Sequence, residues 1–137
     1  MLTTRLAQLI TRYAIIEDAH ERLAAITSRG RKAAPLVDAE RTDAHLVPGC
    51  SSRVWLVGEC VEGVCRFRVD ADSPLVKGLA VLLCELHEGA TAQDIVAWEP
   101  ERGLAEELRL DRMLSPTRLN GFASIRAVIH AFAKRHE

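Results

Sequence analysis

Apolar residues recur at helical spacing towards both ends of the chain and at strand spacing between them. Leu6, Leu9, Ile10 and Tyr13 fall on one helical face, with Thr3 or Thr4 placed to cap the first turn. Asp18 followed by Glu21 predicts a second helix start, an acidic variant of the capping box, with Leu23, Ala24 and Ile26 on its apolar face. Ser28-Arg29-Gly30 predicts its end, because glycine is a frequent helix terminator. Residues 31–45 are charged, rich in small side chains and hold Pro35, which reads as an ordered surface loop. His45-Leu46-Val47 then predicts a short strand.

A strict alternation follows. Over residues 52–60, Val54, Leu56, Gly58 and Cys60 share one face, and Arg53, Trp55, Val57 and Glu59 share the other. Glu62-Gly63 is a two-residue hairpin turn. The return strand, 64–71, puts Cys65, Phe67 and Val69 on one face and Arg66, Arg68 and Asp70 on the other. This turn pairs Glu59 with Arg66, Leu56 with Val69 and Cys60 with Cys65; a slip of one residue would mix the faces.

Helical spacing returns at Ser73-Pro74, serine at the cap and proline in the first turn. Leu75, Val76, Leu79, Leu82, Leu83 and Leu86 make a wide stripe, and Val81 and Cys84 extend it almost all round, which predicts a central buried helix ended by Gly89. Thr91 with Asp94 caps a short helix carrying Ile95 and Trp98, and Pro100 breaks it. Residues 101–110 predict another short helix through Leu104 and Leu108. Ser115-Pro116 opens the last one, with Phe122, Ile125, Ile129 and Phe132 on its apolar face and Lys134, Arg135 and His136 in its last turn, where cations suit the helix dipole. Segregated runs of this kind predict an α+β fold. It is a small three-stranded antiparallel sheet packed against several helices, in a single domain spanning 1–137.

Composition narrows the function. Hydrophobic residues make up 48% of 137, enough for a core in one domain, and the net charge is −1, without the basic footprint of a nucleic-acid binder. No run reaches the roughly 18 apolar residues of a membrane span. The N-terminal residues lack a signal peptide's apolar stretch and cleavage site, so a cytoplasmic protein with mostly reduced cysteines is expected. No Gly-rich phosphate loop, HExxH or paired-carboxylate motif occurs, and no histidine pairs with a cysteine by a local signature.

The chemistry concentrates at Val47-Pro48-Gly49-Cys50-Ser51-Ser52-Arg53. Pro48 fixes its own φ and holds Val47 extended, and Gly49 permits a backbone angle other residues resist. Cys50 therefore stands on a tight bend feeding a strand, reachable by another protein yet mounted on a rigid sheet. Thiolate is the attacking species in sulfur exchange. The N–H groups of Ser51 and Ser52, with Arg53 or Arg118, are candidates to favour it. Cys60 and Cys65, with Cys84 and His87, invite a zinc reading. Zinc knuckles, however, sit in tighter turns than a strand pair facing a core, and two reduced core cysteines are favoured over metal or a cross-strand disulfide.

The Gly49-to-Trp55 stretch resembles the GC-x-S-x-VW segment of the SufE/CsdE family, sulfur acceptors of cysteine desulfurases. D-S-P-L-V-K-G-L at 72–79, T-A-Q-D-I at 91–95 and L-S-P-T-R-L-N-G at 114–121 agree with it, and R-G-R-K at 29–32 extends it. Two departures stand out: Ala19 where the family usually has an aromatic, and Ser51 where it often has glutamine. The resemblance implies a fold similar to iron–sulfur scaffold proteins, with Cys50 as the persulfide carrier. It also points to Asp72, Lys77, Arg118 and Asn120 as surface or support residues. It further implies a pyridoxal-phosphate-dependent cysteine desulfurase (SufS/CsdA-like) as partner, an iron–sulfur scaffold downstream, and no cofactor of the chain's own. The alternatives are an iron–sulfur or zinc-binding scaffold using several of the four cysteines, and an interaction module with an incidental thiol.

Overall fold

The fold is built on one buried helix. In the computed structural model, which describes residues 1–100 and 102–137, the described elements run α1 (Leu2–Ala14), α2 (Ala19–Lys32), β1 (Val54–Val61), β2 (Val64–Ala71), α3 (Pro74–His87), α4 (Ala92–Ala97), α5 (Leu104–Glu107) and α6 (Pro116–His136). Ser73 Oγ accepts from the Val76 N–H, and Pro74 sits in the first turn where its missing N–H costs nothing. Every α3 residue from Lys77 to Leu86 except Glu85 is buried. α1, α2, the hairpin and α6 all pack against α3. The architecture is α+β, as the segregated pattern predicts.

The hairpin register agrees residue for residue with the one read from the sequence, including Glu59 opposite Arg66, Leu56 opposite Val69 and Cys60 opposite Cys65. Glu62 (φ 54°) and Gly63 (φ 79°) both take the left-handed conformation that two-residue hairpin turns require. The third strand is shorter than expected: among the described residues the sheet has two strands. Asp43–His45 wind into a 3-10 turn, and Leu46 alone bridges Trp55. Turn residues on both sides leave no room for a longer ladder. The far edge of β2 is instead closed by the segment after α3, through a Val64–Thr91 bridge.

Three helix boundaries also differ. α1 begins at Leu2, before Thr3 and Thr4 can cap it; Thr3 Oγ1 accepts from Trp98 Nε1 instead, at 3.1 Å. α5 spans four residues rather than 101–110, whose first residue lies outside the described ones. α2 runs through Gly30 to Lys32 and stops where Pro35 forces Ala34 out of helix. Gly30 is a packing residue, not a terminator. A Cβ there would collide with the Gly78 amide and come within 2.7 Å of the Pro74 carbonyl, and one on Gly78 would lie 2.8 Å from the Ile26 carbonyl carbon. The α2 and α3 backbones touch where neither has a side chain, which seats Ile26 fully in the core while Ala24 faces out.

Overpacking of a close contact usually costs about 1–3 kcal/mol, and backbone atoms cannot swing aside as a side chain would. Gly78→Ala is expected to destabilise the protein by about 2–3 kcal/mol, despite alanine's better helix propensity. Urea unfolding measures it; an unchanged midpoint would contradict the close crossing.

Candidate functional site

Cys50 projects from a six-residue loop, 48–53, held at its base. The Val47 N–H donates to the Val54 carbonyl at 2.8 Å, Leu46 bridges Trp55, and the Asp72 N–H donates to the Arg53 carbonyl at 3.1 Å. Between these ties, residues 48–52 make no backbone–backbone hydrogen bond among the described residues. Gly49, at φ 82°, makes the bend that the Pro-Gly pair predicts.

The loop tip rests on α6, whose start is set by Ser115 Oγ accepting from the Arg118 N–H at 3.2 Å. The Cys50 thiol donates weakly to the Gly121 carbonyl at 3.6 Å. A Cβ at position 121 would lie 3.4 Å from Sγ, and one at Gly49 would lie 3.0 Å from Ser124 Oγ. Gly121 and Ser124 thus form a shallow seat on α6, and Cys50 is half-buried in it. Beside the sulfur is a small cavity of about 20 Å³, lined by Ser51, Ser52, Val76, Leu79, Thr117, Arg118, Phe122 and Ile125.

Burial raises the Cys50 thiol above the ordinary range of a free cysteine, and no charged neighbour offsets it. The expected help from Arg53 is absent in this arrangement. Its Nε donates to Asp72 at 2.8 Å, and its guanidinium lies over Trp55, 5.3 Å from the ring centre. The thiol therefore favours its protonated form at rest, and exposure to water would favour the thiolate.

The structure gathers some of the sequence-derived site residues and separates others. Ser51 and Arg118 line the Cys50 cavity. Asn120 is exposed on the same turn of α6, its carbonyl accepting from Ser124 Oγ at 3.0 Å. Arg53 and Asp72 pair at the loop base, both exposed. Lys77 is buried and points elsewhere: Nζ donates to the Ala33 carbonyl at 3.0 Å and pairs with Asp70 at 3.4 Å. It supports the 33–36 loop, together with Asp70 Oδ2, which accepts from the Leu36 N–H at 3.0 Å.

Ser124 and the buried Asp70 escape a sequence reading, and Gly121 enters it only as the last letter of a matching segment. The available signal was a pair of small residues, three apart, near the start of the last helix. As for metal, no group of three or more His, Cys, Asp or Glu side chains converges among the described residues. Cys84 is buried on α3 and pushed up to about 12, chiefly by burial. No helix among the described residues is long and apolar enough to cross a membrane.

Fold and site together define a small α+β domain that shelters one loop cysteine against a helix. Residues 7–133 match the family model SufE, described as an iron–sulfur metabolism associated domain. An uncharacterized SufE-like protein of Synechocystis sp. is 32% identical over 124 residues, 90% of this chain and 77% of that one. The solution structure of a hypothetical protein from Thermus thermophilus superposes with a TM-score of 0.76, covering 96% of this chain and 95% of that one at 19% identity, a likeness of fold. The chain belongs to the SufE family, and its role lies in iron–sulfur metabolism.

The seat on α6 leads to a test. Alanine at 121 meets Sγ at ordinary contact distance and is expected to leave Cys50 in place. Gly121→Leu fills the seat and is expected to expel the loop, raising the rate of Cys50 alkylation by roughly tenfold or more, the factor for each ~1.4 kcal/mol removed from the resting state. Peptide mass analysis after timed iodoacetamide treatment measures both variants. Equal rates in wild type and Gly121→Leu would contradict a sheltering role.

Proposed function

We propose that this protein is the sulfur acceptor and activator of a cysteine desulfurase, carrying sulfane sulfur on Cys50 and passing it on for iron–sulfur cluster assembly. The observation that carries the reading is the placement of Cys50: alone on a weakly tied loop, seated beside a small, mostly apolar cavity. The transfer is an exchange at sulfur. The Cys50 thiolate attacks the outer sulfur of the donor's persulfide, the donor's S–S bond breaks, and the donor sulfur leaves as thiolate. Cys50 then carries –S–SH.

The loop supports each stage. An exposed ion pair such as Arg53–Asp72 contributes about 0–1 kcal/mol, and burying half of one small side chain contributes about 1 kcal/mol. Release of the tip therefore costs on the order of 2 kcal/mol, well within reach of binding to a partner. Once out, the thiol regains an ordinary aqueous acidity and can enter a foreign active site. On return, a cavity of about 20 Å³ suits one added sulfur atom and keeps it against Val76, Leu79, Phe122 and Ile125. Ser51, Arg118, Asn120 and the Arg53–Asp72 pair form the rim that would meet the partner, whereas Lys77 acts from inside.

The donor in this reading is a pyridoxal-phosphate-dependent cysteine desulfurase of the SufS/CsdA kind, and the pyridoxal phosphate belongs to that partner. An iron–sulfur scaffold receives the sulfur. The protein is a covalent carrier in the cytoplasm and has no cofactor of its own. A cluster scaffold would need three convergent ligands, and the described residues supply no such group.

Incubation with a desulfurase of this kind and cysteine is expected to leave the Cys50 peptide one sulfur atom heavier, with the mass removed by reductant. Cys50→Ser is expected to abolish both the added mass and the stimulation of cysteine turnover. An unmodified Cys50 peptide alongside stimulated turnover would reduce the protein to an activator, and the carrier reading would fail.

A further inference from the structure

Cys60 and Cys65 lie at the other end of β1 from the Cys50 loop and take no part in the transfer proposed above. They are direct cross-strand partners, one position from the hairpin turn. Antiparallel partners alternate between pairs that exchange backbone hydrogen bonds and pairs that do not, and the second kind brings side chains closer. The Cys65 backbone identifies the kind. Its N–H donates to the Ala90 carbonyl at 2.8 Å, and its carbonyl accepts from the Gly89 N–H at 2.9 Å. Both groups face away from β1, so Cys60 and Cys65 are a non-hydrogen-bonded pair. Cα atoms of such pairs lie about 4.5 Å apart, within the ~4.4–6.8 Å that a disulfide spans.

The two thiols differ in access. Cys60 is half-buried and Cys65 is fully buried. Burial first, then the neighbouring Cys60, push Cys65 up to about 11, so Cys65 keeps its proton at neutral pH. An oxidant from solvent meets Cys60 first, with a second thiol already beside it.

We propose that Cys60 and Cys65 are a peroxide-sensitive dithiol that closes to an intramolecular disulfide. In the first step the Cys60 sulfur attacks one oxygen of a hydroperoxide. The O–O bond breaks, an alcohol or water leaves with the Cys60 proton, and Cys60 becomes a sulfenic acid. In the second the Cys65 sulfur attacks the Cys60 sulfur, the S–O bond breaks, and hydroxide leaves with the Cys65 proton as water. Two electrons pass from the thiols to the peroxide, and a dithiol reductant reverses the change by exchange. The strands already hold the required register, so closure needs only side-chain rotation. The loop closed is very short, so the bond adds little to stability and its significance is chemical.

The test uses Cys50→Ser protein, so that Cys50 cannot contribute, with wild type as the parallel arm should that variant fold poorly. Each is treated with equimolar hydrogen peroxide, unfolded in iodoacetamide and digested with trypsin. Cleavage after Arg53 and Arg66 leaves both cysteines on one peptide, 54–66. The expected peptide is two hydrogens lighter than the dithiol and bears no alkyl group, and after reductant it takes up two. With Cys60→Ser in the same background, Cys65 is expected to stay fully alkylatable after peroxide. A doubly alkylated peptide after peroxide would overturn the proposal. So would over-oxidised Cys60 beside an alkylatable Cys65, or a Cys60-linked dimer on a non-reducing gel.

Discussion

A thiol resting on a helix backbone is the contact on which the proposed function depends. Cys50 rests on α6 at Gly121, where a large side chain would fill its seat, and burial there raises the thiol without an offsetting charge. The contact is weak by construction: a long S–H···O bond, a small cavity and an exposed ion pair at the loop base. In the proposed transfer, a tighter seat would trap the sulfur, and an open one would leave it in water among competing thiols. The remaining structure makes a weak contact reproducible by holding both of its sides rigidly. The hairpin fixes the loop base, and α6 is placed by its cap at Ser115 and by Ile125 and Ile129, both fully buried.

That rigidity traces to α3, which is apolar nearly all round and touched by every layer. The glycine-on-glycine crossing with α2 brings the second helix in closely. Arg22 then ties its neighbourhood together: its guanidinium, buried, donates to the carbonyls of Tyr13, Ile16, Glu17 and Leu108. A buried cation is costly unless its hydrogen bonds are met, and here four carbonyls meet them. Lys77 is handled similarly, by Asp70 and the Ala33 carbonyl. The buried polar groups Arg22, Asp70 and Lys77 thus serve the framework, while the Cys50 loop is tied only at its base.

Local signals were readable from the sequence. The side-chain caps at Asp18, Ser73, Thr91 and Ser115, the register of the hairpin and the Pro-Gly bend before Cys50 are set by residues close in the chain. What escaped was set by contacts far apart in sequence. Gly30 reads as a helix end until Gly78 is seen against it. Lys77 reads as a surface residue until the 33–36 loop is seen to cover it. Arg53 reads as a neighbour for the thiolate until Asp72 and Trp55 are seen to hold it. The third strand is a different case, in which the alternation was too short to outweigh the turns flanking it.

In the proposed relay, Cys50 is protonated in its seat and reactive only when released. The pH dependence of its alkylation in the free protein, followed on the Cys50 peptide, tests this most directly. The rate should keep rising with pH well beyond ~8.5, the ordinary midpoint of a free cysteine. A rate that levels off at or below that midpoint would mean a thiolate already stabilised at rest, and the sheltered-loop account would be wrong.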